Sequence, residues 1–400
     1  MAQIFKHRII YIYTFLLTLN ISLIKIINND KFSIDSIFYL NEIKLFDIAI
    51  LFFFIFYFKD IIEFFKSNYK NKYIKLVYVF FILIFLGCFF STFSIHTTKT
   101  ENQLFVFLFL INFIKNLIGL IIFIVLVRKS PSLDISKILL FMFFILIFFI
   151  FFNFYINGHI SRFYYPFTTK VNGYNLVALT YGIFFFNYLD KYLYDKNSKN
   201  RLIYLYISFL ALLIVTFSFS KTGILAIVLV LVFTLILNHK IIKPKIYLPV
   251  SIFLILIILI LDIIKFYGTI NSLSLIDLIA DPFIILENYG SLFYRIEHVW
   301  LSDFDKNLNI LSFLFGDGIY IKKTHDSLYF AIITKFGFIG LIIFISFCLN
   351  LLLKLEPKEH NIIIFILIFS LNSEMILQSN SINPLIWIIL FASFKEKNFI

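Results

Sequence analysis

The chain has 400 residues, of which 61% are hydrophobic, 20% aromatic and 14% charged, with a net charge of +12. Soluble domains carry about 25% charged residues, so the composition argues against an ordinary soluble domain and predicts an all-α, polytopic integral membrane protein. The positive balance reads as the positive-inside bias of such a chain, not as a nucleic-acid footprint. Two cysteines, Cys88 and Cys348, both within apolar runs, argue against a disulfide scaffold or a cysteine metal site.

Apolar runs long enough to enter a bilayer core of roughly 30 Å fall at 9–27, 45–58, 76–94, 104–127, 138–156, 175–189, 202–218, 222–238, 246–265, 327–353, 361–377 and 382–394. They predict a bundle of about twelve transmembrane helices, with the first run retained as a helix and not removed as a leader. The short segments 59–75, 128–137, 190–201, 239–245 and 354–360, together with both termini, hold most of the 35 basic residues. By the positive-inside rule they are cytoplasmic, which predicts a multi-pass membrane protein with both ends inside. The whole of 1–400 reads as one domain. Residues 266–326 form a large external loop on the periplasmic side, and apolar residues at helical spacing within it (Leu275, Ile276, Leu278 and Ile279; Leu292, Phe293, Ile296 and Val299) predict short helices.

Four polar clusters fall on the external side of this topology. The first runs from Gly158-His159-Ile160-Ser161-Arg162 through Pro166 to Asn172-Gly173-Tyr174-Asn175. The second, Ser218-Phe219-Ser220-Lys221-Thr222-Gly223, opens a helix with small hydroxyls and a cation. The third is Tyr294-Arg295-Ile296-Glu297-His298-Val299-Trp300. The fourth joins Phe315-Gly316-Asp317-Gly318 to Thr324-His325-Asp326, just ahead of Phe336-Gly337-Phe338-Ile339-Gly340.

In order and spacing these clusters resemble the O-antigen polymerase and O-antigen ligase superfamily of bacterial inner-membrane enzymes. The family's Ser-x-Ser-Arg-x-Gly-like element is matched by Ser218 to Gly223, with Lys221 in the Arg position. Its Arg with a Trp five residues on is matched by Arg295 and Trp300, its Gly-x-Gly turn by Gly316 and Gly318, and its external Arg followed by Pro and Asn by Arg162, Pro166 and Asn172. A His-Asn-like pair before Gly-x-x-Gly is matched by His325-Asp326 and Gly337 with Gly340. The motifs cover roughly residues 160 to 345. Two departures stand out: Lys221 offers a point charge where Arg offers a fork, and ten residues separate Asp326, not His325, from Gly337. The acidic residue tilts the resemblance towards the polymerases.

The resemblance implies a membrane glycosyltransferase that polymerises polyprenyl-diphosphate-linked oligosaccharide repeat units for O-antigen, capsule or exopolysaccharide. Arg162, Lys221 and Arg295 would bind the diphosphate, and His325 or Asp326 would activate the acceptor hydroxyl. Membrane lipid is an implied partner, with a chain-length regulator and a flippase of the same pathway; nucleic acid and cofactors are not implied. Arg forks suit phosphate oxygens, and a base within hydrogen-bond reach assists attack by a hydroxyl. No convincing Asp-x-Asp metal motif stands in the external clusters, so a metal-independent route fits better.

Blander readings compete at each position. A basic residue near a helix end also snorkels or binds headgroups, which covers Arg162, Lys221 and Arg295. Asp326 also suits a helix cap, His325 a surface histidine, and Gly337 and Gly340 close helix packing. Lys115 in the fourth run and Lys335 in the tenth have no acidic partner within their own helices, and neither is given a role. Two other functions stay open: a ligase that transfers the glycan to a lipid A core, and a polysaccharide flippase or other transporter.

Overall fold

The computed structural model describes residues 2–18, 45–68, 100–130, 133–157, 170–194, 200–218, 220–237, 314, 316, 327–354, 360–371 and 385–395. These residues are almost entirely helical: α1 Ala2–Thr18, α2 Leu45–Phe56, α3 Phe58–Asn68, α4 Thr100–Arg128, α5 Ile135–Asn157, α6 Lys170–Tyr194, α7 Arg201–Phe217, α8 Lys221–Leu237, α9 Leu328–Lys354, α10 His360–Ser370 and α11 Leu385–Lys395.

The bundle of about twelve transmembrane helices expected from hydropathy is not what the structure gives. Among the described residues no helix is long and apolar enough to cross a membrane. α7 and α8 have 17 residues each, which at 1.5 Å per residue is about 25 Å, short of roughly 30 Å of hydrocarbon. The expected second span, 45–58, is covered mainly by the 12-residue α2, about 18 Å long, and the helical α3 follows where a loop was expected. α6 is longer, but its described part carries Asn175, Asn187, Asp190 and Lys191. α4 carries Lys115 and Asn116 within its apolar run. The expected placement as a multi-pass inner-membrane protein with both termini cytoplasmic falls with that bundle, since among the described residues there is no spanning helix for the basic loops to orient. The third and ninth expected spans, 76–94 and 246–265, and nearly all of the loop 266–326 lie outside the described residues.

The tenth expected span shows the physics most clearly. α9 turns back on itself at Gly337, whose φ of 69° and ψ of −174° belong to a region essentially restricted to glycine. Tyr329 and Phe344 would be about 22 Å apart along a straight helix, yet their ring centroids are 6.1 Å apart. At Gly340 a Cβ would lie 2.5 Å from the Cβ of Phe336, so the two limbs meet where neither side can carry more bulk.

α6 is the hub of the core, packing against α7, α8, α10 and α11. It is buried continuously from Leu176 to Asp190, its polar Thr180, Asn187 and Asp190 included. Phe143 of α5 lies edge-on to Tyr181 and Phe184 at 5.4 and 5.3 Å, while the Tyr181 hydroxyl donates to the Phe143 carbonyl at 3.2 Å. Arg201 Nε donates to the Tyr192 carbonyl at 2.7 Å, tying off the end of α6 with the first residue of α7. Asp134 caps α5, accepting from the Ser136 N–H at 3.0 Å. Elsewhere Tyr13 of α1 donates to the Gly119 carbonyl of α4 at 2.8 Å.

Lys115 finds an acidic partner in α2. Its Nζ lies 2.7 Å from an oxygen of Asp47 and 4.9 Å from the centre of the Phe46 ring. The pair is about four-fifths buried on both sides, so it fixes α2 against α4 more firmly than a surface pair would.

Candidate functional site

The second polar cluster is built where α7 gives way to α8. Helix α7 ends with the Ser218 hydroxyl donating back to the Val215 carbonyl at 2.6 Å. Ser220 then stands at the N-cap of α8: its carbonyl accepts from the Ile224 N–H at 3.0 Å, and its hydroxyl oxygen accepts from the Gly223 N–H at 3.2 Å. A capping hydroxyl satisfies one of the first-turn donors that no helix can pair internally. Lys221 is the first residue of α8.

The Ser220 hydroxyl donates in turn to Asn175 Oδ1 of α6 at 2.6 Å. Two clusters that lie 45 residues apart in sequence therefore meet. Gly223 fits because its missing Cβ would fall 2.6 Å from the Cβ of Ala178, so α8 crosses α6 at close range. Ser218 and Ser220 are fully buried. This corner has two serines and an amide in fixed orientations, next to the positive end of α8's dipole.

Of the residues the sequence puts forward, Lys221 is placed by its backbone at the start of α8. Arg162, Arg295, His325 and Asp326 lie outside the described residues. Their neighbours give partial bearings. Gly316 adopts a φ of 78°, as a glycine turn in the fourth cluster requires. Ser327, the residue after Asp326, is buried, and its carbonyl accepts from the Ala331 N–H at 3.0 Å, which puts Ser327 itself at the N-cap of α9. The Tyr329 hydroxyl donates to the Leu367 carbonyl of α10 at 3.0 Å, so the start of α9 is held against α10. Burial, with the neighbouring Cys348 second, pushes Tyr329 up to about 12. Burial alone pushes the Cys348 thiol up to about 12.

A second polar centre was not singled out from the sequence. At the other end of α6, Asn361 Nδ2 of α10 donates to Asp190 Oδ1 at 2.8 Å, and the Thr234 hydroxyl of α8 is 2.9 Å from Asn361 Oδ1. All three side chains are more than nine-tenths buried. Asn187, one turn before Asp190, is buried too, and its Nδ2 has no hydrogen-bond partner among the described residues. The sequence signal was present: Asn187 and Asp190 interrupt the run Ile183-Phe184-Phe185-Phe186, at a spacing that puts both on one helix face.

No family model, no curated protein and no solved structure matches this chain significantly.

Proposed function

We propose that the protein transfers an oligosaccharide from a polyprenyl-diphosphate carrier to the terminal hydroxyl of another carrier-linked glycan, lengthening the chain by one repeat unit. The acceptor oxygen attacks the anomeric carbon of the donor. The bond from that carbon to the diphosphate oxygen breaks, the diphosphate leaves with the electron pair, and the hydroxyl proton passes to His325 or Asp326. Arg162, Lys221 and Arg295 offset the charge that grows on the leaving diphosphate, which is largely electrostatic work. The observation that carries this reading is the Ser220–Asn175 hydrogen bond. It brings Asn175, the last residue of the first polar cluster, to the second cluster, which contains Lys221.

The test is elongation of a purified lipid-linked repeat unit by the purified protein in detergent, read as longer chains on a gel. Arg295→Ala and Arg162→Ala are expected to abolish elongation at unchanged protein levels, with Arg295→Lys recovering little because a point charge replaces a fork. His325→Ala is expected to stop elongation and Asp326→Asn to slow it. Full elongation by both single variants of the pair would take catalysis away from it, and full elongation by Arg295→Ala would take the diphosphate away from Arg295.

A further inference from the structure

We propose that α1, α2 and α5 present a docking face for anionic phospholipid, with the lipid phosphates held by basic residues at one end and the acyl chains laid along apolar stripes. α1 packs against both of the other helices. Tyr11 meets Phe141 at 5.0 Å and Phe15 meets Phe149 at 6.4 Å, so α1 and α5 run in the same direction. Tyr13 meets Phe53 of α2 at 4.7 Å. Each helix exposes apolar side chains on one face: Ile12 and Phe15 on α1, Ile48, Phe52 and Ile55 on α2, Phe144 and Phe148 on α5. The exposure is large, reaching 66% at Ile55 and 63% at Phe148.

Every one of these stripes runs up to a cation on its own helical face. Arg8 is exposed one turn before Ile12, and Lys137 is exposed two turns before Phe144. Lys59, one turn beyond Ile55, carries the α2 stripe onto α3, and Lys66 lies two turns further on. The cations gather at one end of the helices. Lys129, just past α4, lies 2.6 Å from Asp60 of α3. The chain then turns directly into α5, with the Leu133 N–H donating to the Ser130 carbonyl at 3.0 Å. The shared direction of α1 and α5 brings Arg8 to the same end. Among the described residues Arg8, Lys59, Lys66 and Lys137 make no ion pair. They outnumber the exposed carboxylates nearby, Glu63 and Asp134.

This charge pattern selects the occupant. A second copy of the chain packed in parallel would set cation against cation, and packed antiparallel would set cations against phenylalanines. A phospholipid presents an anion and an apolar chain in the same order as the protein presents cations and stripes. Lysine and arginine stems lie along apolar surface while their heads reach the phosphates, and each adds attraction to an anionic surface. From Lys59 to Ile48 is about 16 Å along the axis, close to the roughly 15 Å of hydrocarbon in one leaflet, half of a 30 Å core. α3 then lies at headgroup level, with Ile61 and Phe64 inward and Lys59, Glu63 and Lys66 outward. None of these helices has to cross a bilayer for lipid to bind along its side. The face also stands apart from the candidate site: the start of α5 is bonded to Lys191, near one end of α6, whereas the Ser220–Asn175 bond is made near the other. The inference does not rest on the function proposed above.

The test is retention of phospholipid by the full-length protein, incubated in nonionic detergent micelles doped with phosphatidylglycerol or with phosphatidylcholine and then washed on a column. The unaltered protein is expected to retain phosphatidylglycerol about tenfold better than phosphatidylcholine at low ionic strength. That preference should vanish as salt approaches about 1 M, because exposed charges are screened. Lys59→Gln, Lys66→Gln and Lys137→Gln combined are expected to remove the preference with helix content unchanged by circular dichroism. Phe52→Trp and Phe144→Trp should each add fluorescence that phosphatidylglycerol brominated on its acyl chains quenches, above the background of Trp300 and Trp387. Equal retention of the two lipids, a preference that survives high salt or the triple change, or no added quenching in either tryptophan variant would overturn the proposal. So would self-association through this face that phosphatidylglycerol does not disperse. Lipid retention is read without any glycan, so a protein that holds the lipid but does not elongate chains would sink the proposed function and leave the docking face standing.

Discussion

At the scale of single residues, polar groups inside apolar helices carry most of the information. Ser220 serves two partners at once, capping α8 through Gly223 and bridging to Asn175. Ser220→Ala is therefore expected to cost about 1 to 2 kcal/mol, the loss of a cap plus a buried hydrogen bond. Asn175→Ala should cost less, because the serine keeps its cap. The double variant should cost less than the sum, because both changes remove the same bond; chemical denaturation with an unchanged m-value is the measurement. The Ser-x-Ser-Lys-x-Gly pattern was legible in the sequence as a helix opening, since hydroxyls before an apolar run are a local signal. Its bond to Asn175 was not legible, nor was the pairing of Asp190 with Asn361. Each depends on which helices become neighbours, and nothing local to either residue encodes that.

At the scale of elements, α9 separates what hydropathy can read from what it cannot. The run from Leu328 to Lys354 is helical, as its composition suggests, but its count of apolar residues gives no hint that it is two limbs. The one cue was Gly337 with Gly340, and a glycine pair reads equally well as a packing surface. Gly337→Ala decides the matter by sign. In a straight helix the change would stabilise by up to about 1 kcal/mol; at the observed φ of 69° it is expected to destabilise by about 2 kcal/mol. Tyr329 gives the hairpin a second signature, at alkaline pH. Its folded value is about 12 against an ordinary value of 10.0, so the unfolded chain loses the proton first. Stability from this group is whole below pH 10 and is lost as pH rises towards 12. Tyr194 adds a loss of the same sign in the same window. Tyr329→Phe keeps the ring against Phe344 and is expected to flatten the fall in melting temperature between pH 10 and 12. An equally steep fall in that variant would put the tyrosine outside the buried environment described for it.

At the scale of the whole molecule, the described helices enclose an ion pair and turn several large apolar side chains outward. The interior ion pair of Lys115 with Asp47 is expected to behave as a buried pair. Lys115→Met should cost about 2 to 3 kcal/mol, somewhat below the full penalty because both groups keep some solvent contact, and adding Asp47→Asn should recover most of the loss. The exterior is more unusual. α2 turns Ile48, Leu51, Phe52, Ile55 and Phe56 outward, α5 exposes Phe144, Phe148 and Phe151, and α8 exposes Leu225, Leu229, Val232 and Phe233. Each set repeats at helical spacing and forms a stripe, not a scatter of single residues. Contiguous apolar surface of this kind adheres to other apolar surface. The folded protein is therefore expected to bind detergent well above the level of a typical soluble protein, or to self-associate where detergent is withheld, as sedimentation with density matching would measure. Serine at Leu51, Phe52, Ile55 and Phe56 together is expected to lower the bound detergent mass. Each change alone should alter folding stability by no more than about 0.5 kcal/mol, because exposed positions contribute little to it. If the unaltered protein runs as a monodisperse monomer without detergent, the stripes on α2, α5 and α8 are not exposed in the way the helices place them.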